Sequence, residues 1–331
     1  MKVVIIGFGS IGQRHCKNLL DKSNAEIFLC TKQNTRNFKN NKRIQNLPSL
    51  EKCLKNQPDI GLVCNTSNLH VQTAIKLAKN RCHLLIEKPL SNSLKNITTL
   101  LSLVEKNKII TLMGFNLRFH PCLIKVKQLL SKNKIGRVIY VHAENGSYLP
   151  DWHPEEDYKK SYSSRNALGG GAVLTCLHEI DYLYWLFGDV KEVSAITGKF
   201  SDLEIDSEDL SSISLRFKNN IIAEVHLDFF QRPTQRTCKI VGTNGTLFCD
   251  FDRNIVSLYE LNKKKWKEIM NLKNYNINDM YVEEIKQLLK CVRTQKKSVN
   301  DIDQGLKILK IGLAILKSSK TNKVVQLERH S

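Results

Sequence analysis

Along the first third of the chain, short apolar runs alternate with stretches whose apolar positions recur every three or four residues. The runs at 3–6, 26–30, 60–64, 83–86 and 109–113 have strand length and few polar positions, as expected of strands covered on both faces. The clearest helix spans 93–106, where Leu94, Ile97, Leu101 and Val104 step by three and four behind possible serine caps. Such alternation predicts a parallel, doubly wound sheet.

After Pro121 the pattern changes. A helix over 122–132 and a strand over 138–142 lead into an irregular aromatic stretch, 148–162. A helix over 172–187 follows, with Val173, Leu177, Ile180, Tyr184 and Phe187 on one face. Period-two alternation then takes over. Ile213, Leu215 and Phe217 oppose Ser212, Ser214 and Arg216; past an Asn219-Asn220 turn, Ala223, Val225, Leu227 and Phe229 oppose Glu224, His226 and Asp228. Strands at 239–241 and 246–250 and helices at 279–294 and 302–318 complete the pattern. The expected architecture is α/β: a Rossmann domain over 1–120, then an α+β domain over 121–331 with a mainly antiparallel open sheet. Its C-terminal helices are placed to pack back on the first domain.

Composition narrows the class. A chain of 331 residues, 41% hydrophobic and 25% charged, has material for two globular cores. No apolar run is long enough to span a membrane, and 3–6 is too short for a secretory core, so a cytoplasmic protein is expected. Ten cysteines stand singly with no C-x-x-C pair, which signals neither zinc nor a redox dithiol; no metal is expected. The net charge of +19 raises nucleic-acid binding. The lysines are scattered, however, as in Lys39-Asn40-Asn41-Lys42, and no nucleic-acid motif accompanies them, so neither nucleic acid nor membrane is an expected partner. Their summed potential favours anionic small molecules such as phosphorylated or nucleotide-linked sugars.

Gly7-Phe8-Gly9-Ser10-Ile11-Gly12 follows a strand and opens a helix, the setting in which this spacing cradles a pyrophosphate. An acid after the second strand would hold the ribose 2′-hydroxyl of NAD. The chain reads Cys30-Thr31-Lys32-Gln33-Asn34-Thr35-Arg36 instead. The cofactor is thus expected to be NADP or NAD, leaning to NADP, with Thr31, Lys32 and Arg36 near a 2′-phosphate; the same residues also read as a polar loop facing water. Thr66, Asn68 and His70 follow the next buried strand, and Glu87-Lys88-Pro89 the one after, at the sheet edge where ligands bind in this fold. A lysine there can exchange a proton with a substrate hydroxyl, although most lysines of this chain are exposed loop residues.

With the glycine loop, Glu87-Lys88-Pro89 resembles the glucose-fructose oxidoreductase/inositol dehydrogenase/MocA family. The likeness runs on through Gly114-Phe115-Asn116-Leu117-Arg118-Phe119-His120-Pro121, Gly169-Gly170-Gly171, His178, Asp181 and the Gly242-Thr243-Asn244-Gly245-Thr246 turn. The segments around Tyr148, Tyr162 and His178 are similar to a bacterial branch associated with surface-glycan sugars. The resemblance implies a nicotinamide-dependent oxidoreductase acting on a sugar or cyclitol carbon. It implies that Lys88 touches nicotinamide and substrate, that His178 is the acid/base, and that Glu87, Asn116 and Arg118 join the cofactor set; a homo-oligomer follows by the same analogy.

One departure stands out. The family's aspartate before the histidine is replaced by Thr175, which orients by hydrogen bonding but is no carboxylate base. Thr175, His178 and Asp181 step by three, so a continuous helix would bring them to one broad face. Tyr148, Trp152, Tyr162 and Arg165 are candidates to stack on a sugar ring or pair with its anionic groups. A sugar-biosynthetic oxidoreductase leads. A net non-redox sugar enzyme, and a non-catalytic dinucleotide and sugar sensor or partner subunit, remain open.

Overall fold

The computed structural model describes residues 1–38 and 40–327, without the side chain of Asn37. Lys39 of the lysine–asparagine run lies outside the described residues, as does the end of the expected second domain. The chain divides into two compact units, one of residues 1–116 and 278–309, the other of 117–277 and 310–331.

The first unit is built on six parallel strands in the order β3-β2-β1-β4-β5-β6. These are β1 (Lys2–Ile6), β2 (Glu26–Cys30), β3 (Ile44–Leu47), β4 (Ile60–Val63), β5 (His83–Ile86) and β6 (Thr111–Met113). Every residue of β4 and β6 is buried, which is why these strands read as unbroken apolar runs. Helices α1 (Ser10–Lys22), α2 (Leu50–Leu54), α3 (His70–Lys79) and α4 (Ile97–Lys106) connect them. The expected start of α4 at 93 is corrected. Asn96 adopts φ 60°, so the helix begins at Ile97 and leaves Leu94 exposed. Later in the chain α8 (Asn278–Thr294) packs against α1 within this unit.

The second unit starts with α5 (Pro121–Ser131) and carries a nine-stranded sheet. Its strands are β7 (Val138–Gly146), β8 (Val190–Gly198), β9 (Leu210–Phe217), β10 (Ile222–Asp228), β11 (Gln235–Gly242), β12 (Gly245–Asp250), β13 (Ile255–Glu260), β14 (Lys265–Asn271) and β15 (Val325–Gln326). They run in the order β14-β13-β12-β11-β7-β10-β9-β8-β15. All neighbours are antiparallel except β7 and β10. The register pairs Val225 with Ile213 and Ala223 with Leu215, so the alternating residues meet on one buried face.

The expected helix 172–187 is two helices, α6 (Ala172–Thr175) and α7 (His178–Phe187). The chain turns at Cys176 (φ −99°, ψ 33°), which breaks the three-residue stepping from Thr175 to Asp181. One buried ion pair anchors α7: Arg118 donates through Nε and Nη2 to both carboxylate oxygens of Asp181 at 2.6–3.1 Å, and neither side chain is exposed. Removing one partner strands a buried charge. Asp181→Asn should therefore cost about 3–5 kcal/mol in urea unfolding; a loss below about 1 kcal/mol would show that the pair does not hold the helix.

Candidate active site

In the first unit the loops after β1, β2, β4 and β5 all leave the carboxyl edge of one sheet, so the cradle is a consequence of strand order. Gly7 has φ +88°, and a Cβ there would stand 2.5 Å from Cys64 O and 2.6 Å from Asn65 N. A Cβ on Gly12 would overlap Gly7 O. Gly9 differs: the nearest atom to a Cβ there is Gln33 Nε2 at 4.0 Å, which leaves open space beside it. Gly9 also begins α1, with no side-chain cap and no acid in the first turn. Its first amides are therefore available to an anion, and Ser10 and Ile11 lie on that turn. These features fit a dinucleotide pyrophosphate. Phe8 is buried edge-on against Phe38 and presents only backbone to the loop.

After β2, Lys32 and Arg36 are exposed and Thr31 is half-buried, its hydroxyl accepting from the Gln33 amide at 2.9 Å. Sequence reasoning passed over Gln33. Its Oε1 accepts from the Phe8 amide at 2.8 Å, so the β2 loop is fastened to the glycine loop. No motif marks a lone glutamine for this task.

The loops after β4 and β5 place Thr66 and Asn68 at partial exposure, with Thr66 Oγ1 donating to Asn68 Oδ1 at 2.8 Å. Lys88 is half-buried and precedes a cis peptide to Pro89. Two residues expected to contact cofactor are turned inward. Glu87 is buried, with Oε1 2.7 Å from His15 Nε2 and Oε2 accepting from the Lys88 amide at 3.3 Å. His70 is 1% exposed, with both ring nitrogens on main-chain carbonyls. Asn116 is also buried. Arg118 belongs to the second unit, where it pairs with Asp181, and neither side chain of the pair is exposed.

His15, Glu87 and Glu284 gather ring-nitrogen and carboxylate atoms within 4.8 Å of one another, all buried. The 2.7 Å approach of His15 to Glu87 is a direct hydrogen bond, and the cluster reads as packing between α1, α8 and the β5 loop.

In the second unit, Thr175 is buried and His178, opening α7, is half-buried. Trp152 donates from Nε1 to Ser147 Oγ at 2.8 Å and lies edge-on to Phe229. The Arg232 guanidinium covers the Tyr148 ring at 3.7 Å, a cation–π pair that the sequence did not announce. Tyr162 is half-buried and Arg165 is exposed. Cys176 is buried.

Glu208 was also missed. It lies against Gly171, whose Cβ would overlap its carboxylate, and Val173 donates its amide to Oε1 at 3.2 Å. Burial pushes its carboxyl up to about 7 from an ordinary 4.5. A raised pKa means that its contribution to stability is present below pH 4.5 and lost as pH rises through about 7. Glu208→Gln should thus gain up to about 3 kcal/mol on wild type between pH 5 and pH 8 in urea unfolding. A pH-independent difference would contradict the assignment.

Two family descriptions match the chain: "Oxidoreductase family, NAD-binding Rossmann fold" over residues 1–115, and "GFO/IDH/MocA C-terminal domain" over residues 123–248. The myo-inositol 2-dehydrogenase of Thermotoga maritima is 25% identical over 342 aligned positions, covering 99% of each chain. Levoglucosan dehydrogenase in complex with NADH superposes with a TM-score of 0.89 at 16% identity, covering 100% of both chains. GenD2 from gentamicin A biosynthesis, in complex with NAD, gives 0.84 at 18% identity over 99% of this chain and 97% of that one. At these identities the structural likeness shows the fold.

Proposed function

The chain belongs to the GFO/IDH/MocA oxidoreductase family, and from that membership we propose that it moves hydride between a nicotinamide dinucleotide and a CH–OH carbon of a sugar-derived substrate. The observation that carries this reading lies in the first unit. An open glycine cradle at a helix N-terminus and a half-buried Lys88 leave the same carboxyl edge of one parallel sheet. The bound dinucleotide supplies the two-electron hydride acceptor or donor. Gly9, Ser10 and Ile11 hold its pyrophosphate; Thr66 and Asn68 line its path. Lys88 and His178 hold and return the hydroxyl proton, and the Thr175 hydroxyl orients. Tyr148, Trp152, Tyr162 and Arg165 receive the sugar, with Arg232 fixing the Tyr148 ring.

The substrate we assign is an anionic sugar, a sugar phosphate or nucleotide sugar of surface-glycan or amino-sugar synthesis. The net charge of +19 supports it. Ten cysteines without a disulfide fit a cytoplasmic setting. By analogy with the family, the open nine-stranded sheet of the second unit supports self-association, which sedimentation would read as a homo-oligomer.

Incubated with NAD⁺ or NADP⁺ and a panel of sugar phosphates, nucleotide sugars and cyclitols, the purified protein should generate reduced nicotinamide. Lys88→Ala should lower that turnover by about 10²–10⁴-fold. One observation favours a second reading: the buried Thr175 offers no carboxylate to the reaction. Binding of cofactor and sugar without turnover, with turnover appearing in Thr175→Asp, would establish a sensor or partner subunit.

Among the dinucleotides, the exposed Lys32 and Arg36 and the lack of an acid after β2 support a preference for NADP(H), while the family description and the NAD(H)-bound neighbours keep NAD(H) as the alternative. NADPH should bind more tightly than NADH in fluorescence titration. Lys32→Glu should weaken NADPH by about tenfold and spare NADH; tighter NADH binding by wild type would overturn the preference.

A further inference from the structure

One buried side chain joins the two loops that flank Lys88 and has no part in the proposed chemistry. His70 opens α3, with Nδ1 2.7 Å from Pro89 O and Nε2 2.8 Å from Asn65 O. Asn65 in turn abuts the glycine loop, its amide 2.6 Å from where a Gly7 Cβ would stand. On the other side of Lys88, the Glu87 carboxylate accepts the Lys88 amide and is itself braced by His15. We propose that His70 is a positioning residue for Lys88: by donating from both ring nitrogens it ties the β4 loop to the β5 loop and fixes where the lysine emerges. This rests on the reading of Lys88 as a proton-handling group.

Two carbonyl partners at these distances require two N–H donors, because a bare ring nitrogen would set its lone pair against a carbonyl oxygen. Burial, the strongest single influence, pushes the ring toward its neutral form; the two carbonyls and Glu87 oppose it, and Lys88 acts with burial. Their balance lowers the ring's pKa from its ordinary 6.5, and the two-carbonyl geometry stands against that as the argument for the doubly protonated ring. A strut of this kind matters because a displacement of about 1 Å at a reacting group costs about 10²-fold in rate.

The test uses the full chain. In histidine-labelled wild type at neutral pH, nitrogen NMR should show both His70 ring nitrogens protonated; one bare nitrogen overturns the two-ended bridge. Crystal structures of wild type and His70→Phe should differ by about 1 Å or more at Lys88, with NADH affinity retained within about threefold. An unmoved Lys88 overturns the positioning. With whichever panel sugar turns over, His70→Phe should lose about 10²-fold, and the double variant with Lys88→Ala should be no slower than Lys88→Ala alone. Additive losses would assign His70 a merely structural role. Full turnover by Lys88→Ala would remove the reading of Lys88 while leaving the nitrogen and crystallographic results on His70 standing. If His70→Phe does not fold, His70→Gln, whose donors sit on one nitrogen in place of two, carries the same crystallographic and kinetic measurements.

Discussion

The first unit depends on how closely β1 and β4 deliver their backbones at the sheet's carboxyl edge. Gly7 meets the Cys64 carbonyl and Asn65 amide at a separation that no side chain tolerates. That contact sets the start of α1, keeps its first amides free of protein partners and brings the Asn65 loop beside the glycine loop. The β2 loop reaches the same cluster through Gln33, and the β5 loop through His70. Four loops are thus tied together through backbone and side-chain contacts, while the space beside Gly9 is left open. Anion binding at this edge needs no charged side chain, since the helix terminus provides it.

The second unit solves a different problem. Its aromatic segment has little regular structure, so its order comes from side-chain contacts: Trp152 on Ser147 and Phe229, Arg232 on Tyr148, Ser207 Oγ on Ser163 O. Helix α7 is fixed by Arg118 and Asp181, and beside them Glu179 pairs with Arg236 at 2.9 Å. The buried ion pairs therefore fix the helix that begins with His178, itself half-buried.

Legibility followed the physics of each element. Buried parallel strands and half-buried alternating strands were readable because burial writes itself into apolar periodicity. β3, β8, β13, β14 and β15 were not, since edge and half-exposed strands such as Ile44–Leu47 carry polar residues without strict alternation. The glycine loop was readable because its constraint is local. The break at Cys176 was not, because the apolar stripe of 172–187 continues across it. Side-chain direction was the hardest part. Glu87, His70, Arg118 and Asp181 stand among the residues expected at the site, yet each is buried and bonded to a residue 19 or more positions away, which spacing cannot reveal.

Those inward-turned residues change what the charged motifs mean. In Glu87-Lys88-Pro89 the acid is a brace, the carbonyl of the proline an acceptor, and only the lysine is left half-exposed. In His178-Glu179-Ile180-Asp181 both acids are held by arginines and only the histidine is half-exposed. Each motif thus holds its buried charges in pairs and leaves one half-buried side chain, Lys88 in the first and His178 in the second. With Thr175 in place of a carboxylate, the second unit brings no further acid on α6 or the start of α7 that is free of an ion pair. On the reading proposed above, proton exchange falls to Lys88 and His178, each placed by buried pairs within its own unit.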